Sequence, residues 1–299
     1  MNNLAHMLAR FELKEGLTPS RLEGVYFFKT EHDIPRTPLI YEPGIYVITQ
    51  GYKYGYLGDR QFRYDIDNYL VVSVATPFEC EAFASPEDPV VGIYLGMNIP
   101  MLHELALRLS QDTAHQRYSN AIPPSSLDSA RMDSEMKSAV IRLVKALESE
   151  VEADILGPGV VKEIFYHVLM GSQSSSLLAL LNQNCNFARI ASTLKIIHSD
   201  YSEKLDVEHL AETANMSLST YHRAFKEITT DSPMQYLKKV RLNKARDLLL
   251  QEQTKAYIAA EQVGYESQSQ FSREFKRYFG QGPADLIRET RANNTVSPD

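Results

Sequence analysis

The chain has 299 residues, 43% of them hydrophobic and 23% charged, with a formal net charge of −7. This is the balance of an ordinary globular protein and excludes the disordered class, while a length about twice that of a common domain favours two domains. The opening MNNLAHMLARFELKEG holds no apolar run of signal-peptide length and no stretch approaches about 18 apolar residues, so a cytoplasmic protein that neither spans nor binds a membrane is expected. Cys80 and Cys185 are too few and too far apart for a disulfide scaffold or a CxxC site, and are expected to be buried, reduced thiols.

From Glu23 to Leu95 short β-rich runs alternate with turn residues: GVYFFK, IYVITQ, YKYGYL, RQFRY, YLVVSV, FECEAF and VVGIYL. Leu57-Gly58-Asp59-Arg60 is a hairpin signal, and the seven runs predict a small antiparallel barrel or sandwich. The period then turns helical over Met101–Leu109 and Ser129–Glu150, the second with an apolar stripe of Met132, Met136, Val140 or Ile141, Val144 and Leu147. That stripe suits pairing with its twin in a dimer or packing on its own barrel. A third helix is expected to start near Pro158 and to end at Gly171, where the Ser-rich stretch to Ser176, with the Asn182-Gln183-Asn184 tract a little further on, reads as a flexible linker.

The last third is acidic nowhere near as strongly as the rest: from Phe187 onward 16 Lys and Arg face 15 Asp and Glu. An average over two domains therefore hides the local balance. This third also repeats itself. Ala211-Glu212 recurs as Ala260-Glu261 at a shift of 49; Ser217, Ser219, Arg223, Phe225, Lys226 and Pro233 recur as Ser267, Ser269, Arg273, Phe275, Lys276 and Pro283 at a shift of 50. The extra residue falls in a turn, where insertions are tolerated. In the first copy Asp206 is the expected N-cap, Asn215-Met216 the turn and Ser217 the next cap, with Leu218, Tyr221, Phe225 and Ile228 inward and Ser219, Thr220, His222, Arg223 and Lys226 outward. In the second, Gly264 is the turn glycine, Ser267 and Gln270 form a capping box, Phe271, Phe275 and Tyr278 point inward, and Gln268, Ser269, Ser272, Arg273 and Lys276 point outward.

Two short helices joined by a tight turn, the second exposing Arg, Gln, Ser and Lys, make a helix-turn-helix unit. Arg forks onto guanine, Gln pairs with adenine, Ser serves either base and Lys neutralises phosphate. Pro233 to Leu250 is expected to form a rod of about 27 Å between the copies, so that two unlike heads meet successive major grooves.

The segment Val263–Gly280 with Pro283 resembles the C-terminal signature of the AraC/XylS family of bacterial transcriptional regulators. The resemblance implies a seven-helix, all-α domain of two helix-turn-helix units joined by a long helix. It also implies base reading by Ser219, His222 and Arg223 in one unit and by Gln268, Ser269, Ser272 and Arg273 in the other. Tyr41–Gly51, Tyr56–Asp59 and Tyr69–Val74 resemble the N-terminal domain of one subgroup of the family, which implies a cupin-like, ligand-binding barrel followed by dimerisation helices. The fold class expected is thus α+β, with residues 1–180 as effector and dimerisation domain and 187–299 as DNA-binding domain.

Tyr46, Ile48 and Gln50 share one strand face and Tyr54 and Tyr56, with Tyr52, another; with Arg36 they are the candidate effector contacts. Core or surface filling is the alternative for these tyrosines, as is exposed duty for Arg36, Arg60 and Arg63. The barrel region holds only His32 where cupin enzymes use a histidine cluster, so no metal, no cofactor and no catalysis are expected. The partners expected are promoter DNA, a small-molecule effector, a second copy of the chain and, for an activator, RNA polymerase. A cupin-like enzyme with a helical accessory domain and a protein adaptor that has lost DNA binding are the rival readings.

Overall fold

A computed structural model describes residues 3–110, 123–251 and 254–294. The chain divides into two compact units, Met1–Arg36 with Tyr41–Ala188, and Thr37–Ile40 with Arg189–Asp299.

The strands β1 (Gly16–Pro19), β2 (Val25–Thr30), β3 (Ile34–Ile40), β4 (Gly44–Gln50), β5 (Tyr52–Leu57), β6 (Arg60–Asp65), β7 (Asn68–Val72), β8 (Pro77–Ala82) and β9 (Val90–Gly96) form one sheet in the order β1-β2-β9-β4-β7-β6-β5-β8-β3, all in the first unit except the last four residues of β3. A tenth strand, β10 (Leu127–Arg131), pairs antiparallel with β7. The sheet is an antiparallel half-barrel. All seven runs expected from sequence are strands, and β5 and β6 close on Gly58-Asp59 with Leu57 opposite Arg60. Three strands lie outside those runs. Leu127–Arg131, expected as helix from Ser129 on, is one of them: its backbone groups complete the edge of β7, and the helix begins only at Ser134, where Asp133 accepts from the Met136 N–H at 2.8 Å.

One face of the half-barrel, with Phe27, Ile45, Val47, Val71, Ile93 and Leu95, packs under a helical layer. That layer comprises Asn3–Leu8, Ile99–Leu109, Ser134–Ala146, Glu150–Met170 and Ser174–Leu181. The stripe Met132, Met136, Val140, Val144 and Leu147 lies wholly in this core, so the second of its two sequence-level alternatives holds and the stripe is not free to meet a twin.

Two local expectations are corrected. Pro158 does not start a helix; it lies inside Glu150–Met170, whose N-cap is Ser149. Packing overrides the local preference, since Ala153 is in the core and a side chain on Gly157 would meet Leu22 at 2.8 Å. The Ser-rich stretch is not a tether either. Ser174, Ser175 and Ser176 are buried at the start of Ser174–Leu181, and Ser176 Oγ accepts from the Ser125 N–H at 2.9 Å. Cys80 is buried, as expected, but Cys185 is only half-buried, and both are free thiols.

The second unit has seven helices among the described residues: Asn186–Ser199, Val207–Thr213, Leu218–Thr229, Pro233–Gln251, Ala256–Gln262, Gln268–Phe279 and Pro283–Asn294. Pro233–Gln251 runs about 28 Å at 1.5 Å per residue. It supplies Tyr236, Leu237 and Val240 from its first half to the core and Leu242, Ala245 and Leu249 from its second. On the first side Tyr221 Oη donates to Thr193 Oγ1 at 3.0 Å, Phe225 meets Tyr236 edge-on, and His198 Nε2 lies 2.8 Å from Tyr236 Oη. Burial pulls that imidazole down to about 4, so it is neutral at neutral pH. Among the described residues no single helix is long and apolar enough to cross a membrane.

Candidate functional site

The two halves of the sequence repeat build the same local structure. Val207–Thr213 is capped by Asp206, whose Oδ1 accepts from the Glu208 N–H at 3.0 Å. It ends in a turn where Asn215 takes a positive φ of 51° and the Met216 N–H reaches back to the Ala211 carbonyl at 2.9 Å. In the second copy Gly264 takes φ 81° and the Tyr265 N–H reaches the Ala260 carbonyl at 2.9 Å. Ser217 and Ser267 then cap the next helices, accepting from the Thr220 and Gln270 N–H groups at 3.3 Å each. The capping box is only half made, because the Gln270 amide donates forward to Glu274 Oε1 at 3.4 Å. Both helices also end alike, on Thr230 and Gly280 with φ 67° and 80°.

On these second helices, Tyr221, Ala224 and Phe225, and Phe271 and Phe275, are buried. The opposite faces stand in solvent: Ser219, His222, Arg223 and Lys226 in one, Gln268, Ser269, Arg273 and Lys276 in the other, with Thr220 and Ser272 half-buried at the margins. All ten candidate DNA contacts thus lie on the faces expected for them. One expectation is corrected: Leu218, expected inward, is 42% exposed. Its counterpart at shift 50 is Gln268, already on the exposed face, so the repeat itself carries the signal. An exposed apolar side chain there suits the methyl group of thymine.

Two features hold the heads in place. Arg241, midway along Pro233–Gln251, donates from Nε to the Tyr201 carbonyl at 2.7 Å, from Nη1 to that of Gly264 at 3.0 Å and from Nη2 to that of Glu203 at 2.8 Å. Glu274, on the inner side of the second exposed helix, pairs with Lys238 at 3.1 Å and accepts from Tyr265 Oη at 2.9 Å. Lys238 and Tyr265 hold its carboxyl below the usual range against the opposing effect of burial.

In the first unit the candidate effector residues do not share one face. Tyr46 and Ile48 are buried inside the half-barrel. Tyr54 and Tyr56 are half-buried on the other face of β5, because its alternation turns Lys53, Gly55 and Leu57 inward. Tyr56 Oη donates to Glu81 Oε2 at 2.8 Å, and Arg36 pairs with Glu79 while lying 4.0 Å over the Tyr56 ring. Gln50 donates to Asp88 at 3.2 Å. Arg60 and Arg63 are likewise paired, with Asp128 at 3.1 Å and Asp65 at 2.7 Å. Tyr54, Tyr56 and Arg36 are therefore surface groups, and the grouping with Tyr46 and Ile48 is corrected. A period of two separates the faces of a strand without saying which is inward. Gly55 decides it here, since a Cβ would lie 2.2 Å from the Phe62 ring on the inner face.

The inner face carries a cluster that sequence reasoning misses. Tyr41, Tyr46 and Tyr94 stack with ring centres 4.5 and 4.6 Å apart, and Phe78 meets Tyr41 edge-on at 5.1 Å. Tyr41 Oη lies 3.2 Å from Tyr64 Oη, which lies 3.3 Å from Cys80 Sγ. Lys53 Nζ approaches Tyr41 Oη at 3.4 Å. Burial pushes the Tyr41, Tyr46 and Tyr64 phenols well up, so all three are neutral donors. Among the described residues no group of three or more His, Cys, Asp or Glu is placed to hold a metal ion.

Residues 21–176 match the family described as AraC-type transcriptional regulator N-terminus, and residues 210–289 match a helix-turn-helix domain. The HTH-type transcriptional activator RhaS of Escherichia coli O1:K1 is 28% identical over 157 residues, 52% of this chain and 56% of RhaS. The chain thus spans little more than half the length of the curated relatives it matches. A single-substitution variant of ToxT from Vibrio cholerae, in its apo form, shares the fold with a TM-score of 0.58 at 13% identity, over 92% of this chain and 99% of that one. Wild-type ToxT bound to an unsaturated fatty acid gives 0.58 at 12% identity, over 92% and 97%. With more than half of its length matched by the first of these domains and the helix-turn-helix domain following it, the chain belongs to the AraC/XylS family of transcriptional regulators.

Proposed function

We propose that this protein is a sequence-specific DNA-binding regulator, not an enzyme, which reads promoter DNA with Ser219, His222, Arg223, Gln268, Ser269, Ser272 and Arg273. Lys226, Lys276 and Thr220 contact the backbone, and Leu218 adds an apolar base contact. The observation that carries this is the repeat: two solvent-facing polar helices, each on the same turn and cap, at the two ends of one 19-residue helix. The division of labour follows the sequence limits, 1–180 for control and 187–299 for DNA. The N-terminal half-barrel takes a small-molecule effector, as ToxT takes a fatty acid. Activation, as for RhaS, with RNA polymerase as partner, fits the same architecture. Footprinting on promoter fragments is expected to show protection of two successive major-groove faces about 34 Å apart. Protection of a single face, or none, counts against the paired heads.

The active form is proposed to be a cytoplasmic homodimer. Its support is the outer face of Glu150–Met170, where Val151 is 65% and Ile155 72% exposed, next to Leu156. Apolar residues one turn apart make a continuous patch that a second copy covers. Val151→Glu with Ile155→Glu is expected to convert the dimer to monomer in analytical ultracentrifugation while leaving the fold intact, since neither side chain is in the core. An unchanged sedimentation coefficient assigns dimerisation elsewhere.

A further inference from the structure

Lys53 stands in the middle of β5 and is only 6% exposed. An ammonium has three donors. Here one reaches a neutral phenol, Tyr41 Oη, and the charge sits 5.2 Å from the centre of the Phe28 ring. Among the described residues no carboxylate lies within ion-pair distance of it, whereas Lys29, Lys162, Lys238 and Lys239 all have one. Glu15 and Cys80 favour the charged amine only from a distance, a buried cation without a directly paired counter-ion is unfavourable, and a methionine would fill the same space without that burden. Burial accordingly lowers the amine below the ordinary lysine range.

The surroundings define what would satisfy it. Tyr41 Oη, 3.4 Å from the amine, lies 3.2 Å from Tyr64 Oη. The stacked rings of Tyr41, Tyr46 and Tyr94 and the edge of Phe78 form an aromatic cluster around the Tyr41 ring. The guanidinium groups of Arg36, Arg60 and Arg63 are paired with Glu79, Asp128 and Asp65. One ammonium and two phenols match a single negative charge spread over two oxygens.

We propose that Lys53 anchors a small monocarboxylate inside the half-barrel. One carboxylate oxygen takes the ammonium, the other the hydroxyls of Tyr41 and Tyr64, and a flat apolar tail lies against the tyrosine stack. This deepens the reading of the N-terminal unit as the effector domain and rests on it. The contact gives the effector a way to act at a distance: it satisfies a charge buried on β5, beside a stack whose rings come from Tyr41 before β4, Tyr46 on β4 and Tyr94 on β9.

The test uses the full chain and three probes, benzoate, sorbate and octanoate, each beside its uncharged primary amide. Thermal shift at about 10 mM is expected to show a rise of several degrees with benzoate or sorbate and none with the amides, stabilisation following free ligand over Kd. Lys53→Met should weaken binding of that carboxylate about 30-fold or more, the usual consequence of removing one side of a buried charge pair, and Lys53→Arg should retain part of it. Because methionine relieves the unpaired charge, the unliganded variant should melt no lower than wild type, which separates lost binding from lost folding. Amides as effective as acids, undiminished binding by Lys53→Met, a response to octanoate alone, or no response to any of the three overturns the proposal. Gel shifts with wild-type protein separate the two levels. DNA binding without any carboxylate response sinks the ligand class and spares the regulator, and a carboxylate response without DNA binding does the reverse.

Discussion

Replacing Arg223 and Arg273 together by alanine is expected to weaken binding to a specific promoter site by about 2–6 kcal/mol, roughly 30-fold to more than a thousandfold, as each guanidinium contributes about 1–3 kcal/mol of base discrimination. The two positions correspond across the repeat, and each lies on the solvent face of a helix whose other face is anchored by phenylalanine and tyrosine. Among the described residues neither guanidinium is engaged in an ion pair or hydrogen bond, so truncation breaks nothing inside the protein. The variant should keep its unfolding midpoint to within about 0.5 kcal/mol, which is usual for exposed positions without partners. That separation distinguishes them from Arg241, whose three donated hydrogen bonds make it a brace. The salt dependence supplies a second readout. Lys226→Ala and Lys276→Ala should weaken binding to all sequences alike, each lowering the slope of log K against log salt by about one. Gel shifts at several salt concentrations decide the matter: unchanged specific affinity for the double arginine variant means that these helices do not read bases.

How much of this is visible in the sequence follows from how local each signal is. The helix-turn-helix units are legible because everything that builds them lies within about 30 residues: a cap, a turn residue able to hold positive φ, and a 3.6-residue apolar stripe, all written twice. Even the exposure of Leu218 is readable from the second copy. The half-barrel is legible as seven strands but not as faces. In YKYGYL the tyrosines look like the payload, and only the contact of Gly55 with Phe62, from the neighbouring strand, shows that the lysine is the residue turned inward. Arg36 cannot be assigned from sequence for the same reason, since its partners Glu79 and Tyr56 come from other strands. Leu127–Arg131 is a strand because β7 offers an open edge, and Pro158 is tolerated inside a helix because the surrounding residues are fixed by the core. In each case long-range packing outweighs a local preference of about 1–3 kcal/mol.

The sharpest difference between the two heads is at their turns, and it sets the second large effect. Gly264→Val is expected to destabilise the C-terminal unit by about 3 kcal/mol or more and to abolish DNA binding at temperatures where the wild-type protein still binds. Two costs combine. The backbone there has φ 81°, which a β-branched residue strongly resists. A Cβ would also lie 2.1 Å from the Ser202 carbonyl oxygen and 3.0 Å from Arg241 Nη2, and the first of these is backbone that cannot swing away. Ser202 belongs to the same loop whose Tyr201 and Glu203 carbonyls accept from Arg241, and the Gly264 carbonyl accepts from it as well. Relieving the clash therefore pulls apart the connections that join the second turn to the long helix, and loosens the core of Val263, Phe271 and Phe275 beneath the exposed face. Asn215 occupies the matching place in the first head with φ 51° and its carbonyl accepts from Arg189 at 3.4 Å, a bond that survives loss of the side chain. Asn215→Gly should consequently change stability by no more than about 1 kcal/mol, the left-handed strain it removes offsetting the entropy it adds to the unfolded chain. Urea unfolding of the two variants beside wild type reads both values, and equal effects at the two turns would mean that Gly264 serves the turn alone and not the brace around Arg241.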